Sequence, residues 1–193
     1  VGFGVLVELV RLAYRESLRV KCSNNLKQIA LALHNYHECF GSFLSPYIPG
    51  HDGKPWHSWR MAIVPFIEAN PYADYYAGFD EPWDGPNHRK LHSVVMCYHC
   101  PAEDASAADT MTSYVAVVGP GTAWPDPEPT RLRDFRDGTI NSILVVEVAD
   151  SGIHWMEPRD LKLEDLALAI NPKSGKGIGS NHVGGACVCL ADG

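Results

Sequence analysis

The sequence predicts an α+β chain: one long N-terminal α-helix followed by a mainly antiparallel β-sheet head with large loops. Three observations carry that expectation. The first 40 residues contain no proline, and Gly2 and Gly4 are the only glycines before Gly41. Beyond Gly41, proline and glycine cluster into loops. The short β-branched runs that read as strands all follow the helix, an order typical of α+β architecture.

The helix comes first. From Leu26 the apolar residues fall at Leu26, Ile29, Ala30, Leu33, Tyr36 and Phe40, the spacing of one helical face. Upstream, Val5, Leu9, Leu12 and Ala13 begin a similar stripe, with Arg15, Glu16, Arg19 and Lys21 on other faces. Gly41 supplies a C-terminal stop. A single helix of about 37 residues runs some 55 Å at about 1.5 Å per residue. That exceeds a compact body of this size, so the front part is expected to project. Cys22-Ser23-Asn24-Asn25 is the weakest helical stretch and the place where a kink would fall. Residues 1–40 are therefore read as an assembly helix and 41–193 as a globular head.

Within the head, Pro46, Pro49, Gly50, Gly53 and Pro55 mark a loop. "HSWRMAIVPFIE" gives a short helix over 58–68, and residues 70–92 are aromatic and turn-rich. Strands are expected at 93–97, 113–119, 142–150 and 186–191, and a short helix at 161–170.

Composition narrows the function classes. The formal net charge is −7 and no stretch concentrates Lys and Arg, which argues against a nucleic-acid partner. Residues 1–10 are the most apolar run, but Glu8 interrupts it and Arg11 follows, short of the roughly 20 apolar residues of a membrane span. There is no Ser-His-Asp pattern, nucleophile elbow, phosphate loop or dinucleotide fingerprint, so no catalytic residue is assigned and the chain is not expected to be an enzyme.

The chemistry-bearing residues have several readings. Six cysteines, Cys22, Cys39, Cys97, Cys100, Cys187 and Cys189, lean toward an exported protein. They leave open a structural disulfide between some pair, free thiols, or a zinc site joining Cys97 and Cys100 to Cys187 and Cys189. Cys187 and Cys189 share one strand face with Cα atoms about 6.6 Å apart, so a bond between those two is not expected. His34 and His37 lie one helical turn apart and read as a solvated face. Asp80 and Asp84, and Asp134 and Asp137, are weak calcium candidates read first as turn residues. No metal or other cofactor is asserted. In the closing segment "SNHVGGACVCLADG", an extended run of about 33 Å separates His182 from Asp192, so an acid–imidazole dyad is not expected. Gly184 and Gly185 are read as letting the chain enter the sheet tightly, Asp192-Gly193 as a turn, and His182 as bonding a loop backbone.

Taken together, "CSNNLKQIALALHNYHECFGSF", "SWRMAIVPFIE", "PWDGPNHRKL", "DGTINSILVVEVADSGIHWMEPRDL" and "HVGGACVCLADG" resemble the bacterial family of prepilin-like proteins that carry an H-X9-DG box. His182, nine intervening residues and Asp192-Gly193 fit that box. The element order is similar to that of a type IV pilin or a type II secretion pseudopilin. "GFGVLVEL" looks like a prepilin cleavage motif, with cleavage after Gly2 and Phe3 as the new N-terminus. Glu8 would then be the sixth mature residue, where the family has its acid fifth, and Arg11 follows where the family continues apolar: either the membrane-spanning half has been lost, or the chain begins partway through it and the motif match is coincidental. The resemblance implies a pilin-like fold and a structural subunit of an extracellular or cell-surface filament. Its partner would be itself, with the membrane only a transient stage before assembly.

The physical basis of that expectation is burial. Val1, Phe3, Val5, Leu6, Val7, Leu9 and Leu12 would find cover only against neighbouring copies, worth on the order of 10–20 kcal/mol before association costs of similar size. Glu8 would pair with the amine of a neighbouring Phe3. The alternative is a secreted or surface-anchored module that binds a ligand such as a glycan through loop tryptophans among Trp56, Trp59, Trp83, Trp124 and Trp155.

Overall fold

A computed structural model describes residues 2–67, 80–88, 96–103, 110–172 and 177–193. Its first element, α1 (Gly2–Phe40), spans 39 residues, about 58 Å of helix. It continues as unbroken α-helix through Cys22-Ser23-Asn24-Asn25, the stretch where the sequence is weakest. The reason is tertiary. The Asn25 amide donates to the His99 carbonyl at 3.0 Å and so does not compete with its own backbone. Gly41 ends the helix at φ 78°, with its N–H bonded to the His37 carbonyl.

The region read as a loop after Gly41 holds a hairpin of β1 (Tyr47–Pro49) and β2 (Pro55–Ser58), paired antiparallel. Gly50 is required there because a Cβ would sit 1.9 Å from the Trp56 ring. Helix α2 (Trp59–Ile67) follows as expected and is the main partner of α1. The strand expected at 93–97 is not formed where the chain is described, since Met96–Tyr98 is a 3-10 turn; residues 93–95 lie outside the described residues.

The run at 113–119 splits into β3 (Tyr114–Val115) and β4 (Val117–Val118). Strand β5 (Ile143–Glu147) pairs antiparallel with β3 on one side and with β7 (Val188–Leu190) on the other. β4 pairs in parallel with β6 (Leu161–Lys162). The short helix expected at 161–170 is therefore wrong: this segment is β6 followed by a single 3-10 turn, Leu163–Asp165. Leu168 and Ile170, which made it look amphipathic, are exposed.

Side-chain alternation divides the core. Tyr114 and Ala116 face the helix side, with Cys22, Leu26, Ile29 and Leu33, while Val115 and Val117 join Val146, Val148 and Ile153 on the other. Sheet parity likewise sets Glu147, opposite Tyr114 in register, on the helix side.

Two buried polar groups bear on stability. The Arg60 side chain is fully buried and donates to Asp160 Oδ1 at 2.6 Å and to the carbonyls of Trp155, Glu157 and Arg159. Asp160 also accepts from the Ala116 N–H and the Trp59 indole, so one ion pair ties α2, the β3–β4 segment and the 155–160 loop together. Replacing Asp160 with Asn should cost about 3–5 kcal/mol in urea unfolding, because it strands a buried guanidinium. Glu103 is the second group, its pKa pushed up to about 7 chiefly by burial, with the charges of Asp150 and Glu147 adding to it. The folded chain thus keeps a proton that the unfolded chain releases near pH 4.5, and this residue's contribution to stability falls as pH rises from that value to 7. Glu103→Gln should leave unfolding nearly unchanged at pH 4 and stabilise the chain by about 1–2 kcal/mol at pH 8.

Candidate functional site

The residues read as an assembly surface stand on the first half of α1. Cys22 is the first buried residue of the helix, and the 20 or so before it, about 30 Å, have almost no cover. Phe3 is 82% and Leu9 58% exposed; Val5, Leu6, Val10, Leu12 and Val20 are exposed too, and Val7 is half-buried. Val1 lies outside the described residues.

The arrangement around the helix is directional. Glu8, Arg11, Arg15 and Arg19 follow one another at three- and four-residue steps, and the same line continues through Cys22, Leu26, Ile29 and Leu33. The polar stripe of the projecting half therefore lies above the face that the second half packs on the head. Leu6, Leu9, Val10 and Val20 occupy the opposite side and look away from the head. At the foot of the stripe, Arg15 and Arg19 line a cleft with Ala102, Asn181, His182 and Val183. Glu8 meets Arg11 at 3.7 Å within its own helix, an exposed pair of little energetic weight.

A second constellation lies just where α1 enters the head. Cys22 from α1, Cys100 from the loop after the Met96–Tyr98 turn, Glu147 from β5 and His182 from the loop before β7 bring one ligand-type atom each to within 4.8 Å of one another. His182 Nε2 lies 3.2 Å from Cys100 Sγ and 3.6 Å from Glu147 Oε1. The three other residues are 0% exposed and His182 is 9% exposed. Each is held from behind. Tyr114 donates its hydroxyl to Cys22 Sγ, and the Cys100 N–H donates to Ser113 Oγ. Ser180 Oγ donates to Glu147 Oε1 at 2.7 Å, and the Cys187 N–H donates to Oε2 at 2.8 Å. The His182 N–H returns to Ser180 Oγ. A hydrogen bond with Cys100 and burial together push the Cys22 thiol far above its ordinary range, and burial raises Cys187 beside it.

The structure redistributes the residues singled out by sequence. None of the six cysteines forms a disulfide. The imagined group of Cys97 and Cys100 with Cys187 and Cys189 does not assemble; Cys100 turns instead to Cys22, while Cys39 is exposed. The His182 side chain does not bond a loop backbone but faces Cys100 and Glu147. Gly184 and Gly185 are needed for torsion, at φ 99° and 137°, rather than for close approach: a Cβ would find open space at Gly185 and only Arg19, at 3.8 Å, near Gly184. Gly193 donates its N–H to the Leu190 carbonyl in a terminal turn with Asp192.

The acidic candidates serve local structure. Asp134 caps the 3-10 turn Leu132–Asp134, the Asp137 carbonyl accepts from Asn141, and Asp80 and Asp84 are exposed; none belongs to a ligand cluster among the described residues. His34 and His37 are not a solvated pair, since both pack on Phe43 and His37 Nε2 accepts the Leu132 N–H. Trp59, Trp124 and Trp155 are core residues, and the Trp83 ring lies tilted against His154 at 5.0 Å. That leaves Trp56 and Trp83, both half-buried, as the tryptophans outside the core.

Glu147 was missed by sequence reasoning. Its signal was present: a lone carboxylate inside the apolar strand "ILVVE".

Among the described residues no helix is long and apolar enough to cross a membrane. No curated protein and no solved structure matches the chain. The His182 to Gly193 box lies outside the segment that does find a match, residues 13–125. That segment is more than half of the chain and fits the model of a family of bacterial proteins that are often prepilin- or pseudopilin-like, which is compatible with a surface or pilus-like protein. The chain belongs to the family SBP_bac_10, described as "Protein of unknown function (DUF1559)".

Proposed function

We propose that the protein is a non-enzymatic structural subunit that polymerises with copies of itself into a pilus- or pseudopilus-like filament outside the cell or on its surface. One observation carries this reading: the apolar side of the projecting half of α1 faces away from the chain's own head. Phe3, Leu6, Leu9 and Val10 cannot be covered by the fold that holds residues 22–40, because that fold lies under the opposite stripe. Contiguous exposed apolar surface of this extent marks an interaction site. Each large side chain contributes about 1.5–3 kcal/mol when fully buried, so half a dozen offset the cost of association.

Membership in a family of often pilin-like proteins supports a like copy as the partner. A helix that docks head-to-tail against the next helix, by a rotation that does not close, produces a fibre rather than a ring. Glu8 stands on the opposite, charged stripe, so its pairing with the Phe3 amine of a neighbouring copy, after cleavage at Gly2, requires that copies pack against that side of the helix as well.

Concentrated protein should form long uniform fibres in negative-stain electron microscopy. Leu9→Asp should raise the concentration needed for assembly at least tenfold while leaving the near-ultraviolet circular dichroism of the head unchanged. Glu8→Ala should impair assembly with the head still folded; fibres of normal length and abundance from that variant would refute the Glu8 pairing.

A further inference from the structure

We infer that Cys22, Cys100, Glu147 and His182 form a mononuclear Zn²⁺ site that clamps the root of the projecting helix to the head. The ligand set comes from four separate elements, so chance adjacency along the chain does not explain it. Tetrahedral zinc with bonds of about 2.0–2.3 Å places its ligand atoms about 3.3–3.8 Å apart. His182 Nε2 already stands 3.2 Å from Cys100 Sγ and 3.6 Å from Glu147 Oε1, and the widest pair, within 4.8 Å, needs a contraction of about 1 Å.

The donor chemistry selects the ion. Two thiolates and an imidazole suit zinc and disfavour Ca²⁺ or Mg²⁺, which take six or more oxygens. A single ring nitrogen faces both a thiol and a carboxylate in a water-poor pocket. Its one proton or lone pair satisfies one of them, whereas an ion at the centroid satisfies all four groups.

The surrounding hydrogen bonds fit the same assignment. Tyr114 on Cys22, the Ser113 contact at Cys100, and Ser180 with the Cys187 N–H on Glu147 fix the ligands from outside, as the outer groups of metal sites do. Binding exchanges Zn²⁺ for the two thiol protons, which pass to solvent, and no oxidant is required. The site does not depend on polymerisation. Its consequence would be mechanical: Cys22 is the first buried residue of α1, so the ion would sit where load on the exposed half enters the head.

The test uses the full chain, reduced, stripped with a chelator and titrated with Co²⁺ and then Zn²⁺. The expected result is one equivalent of Co²⁺ per chain, with intense visible d–d bands of tetrahedral geometry and a near-ultraviolet thiolate charge-transfer band, both bleached by one equivalent of Zn²⁺. Zinc at about a thousandfold excess over its Kd should raise the melting midpoint by about 10 °C. Cys22→Ser and Glu147→Gln should lose stoichiometric binding, and Cys39→Ser and Cys97→Ser should keep it.

Three results overturn the assignment. One is folded wild-type chain that shows no thiolate–cobalt spectrum. Another is an unchanged spectrum in Cys22→Ser. The third is a Cys22–Cys100 disulfide found by peptide mass mapping of chain purified without reductant. If Cys22→Ser does not fold, Glu147→Gln and the wild-type spectrum decide, since the bands report cysteine ligation directly.

Discussion

One helix lives in two environments, and the remainder of the structure follows from how it is divided. From Cys22 onward α1 is a core helix, with Leu26, Ile29, Ala30 and Leu33 packed against α2 and the sheet. Before Cys22 the same helix has no core to enter. A short helix without tertiary support is marginal in water, yet this half is nucleated by the packed turns beneath it and needs only propagation. Phe3, Leu6, Leu9 and Val10 nonetheless stay exposed on it. The energy left unsatisfied there is the physical reason to expect a partner.

The division also explains the stripe of Glu8, Arg11, Arg15 and Arg19. On an isolated amphipathic helix a charged face would look outward to solvent. Here it lies on the head side, and Leu6, Leu9, Val10 and Val20 face outward. At its lower end the stripe meets the loop that carries His182 and, through Gly184, approaches Arg19. The junction is therefore closely specified. Within a few ångströms it gathers a helix residue, two loop residues and a strand residue, each with its own hydrogen-bonded support.

The long helix was legible because its signals are local: periodicity, the absence of proline, and Gly41 as a stop. Strand β5 was legible as a β-branched run, and its antiparallel setting followed from the order of elements. The segment at 161–170 was misread because its apolar spacing suits a helix, whereas pairing of Leu161 and Lys162 with β4 decides the matter at long range. The β1–β2 hairpin hid behind its own prolines, one of which ends β1 and another of which begins β2, positions where a missing N–H does little harm.

The ligand cluster could not be read as a set, since its members are separated by 78, 47 and 35 positions along the chain. Cys100 and His182 were both singled out by sequence, but with the wrong companions. The Cys-x-x-Cys spacing drew attention to Cys97, and the H-X9-DG box drew it to Asp192. What joins Cys100 to His182 is the sheet, which carries Glu147 to the helix side and leaves Cys22 above it.

The central claim is that the outward side of residues 2–21 finds its cover only in other copies of the chain. Amide hydrogen exchange measured on dilute and on concentrated protein tests it most directly. The account predicts rapid exchange over residues 2–21 in dilute solution, strong protection of the same amides on concentration, and little change across residues 22–40. Protection of residues 2–21 in a dilute, monodisperse chain would place their cover within the chain itself. Rapid exchange there at every concentration would leave the helix without a partner of its own kind. Either result would contradict the claim.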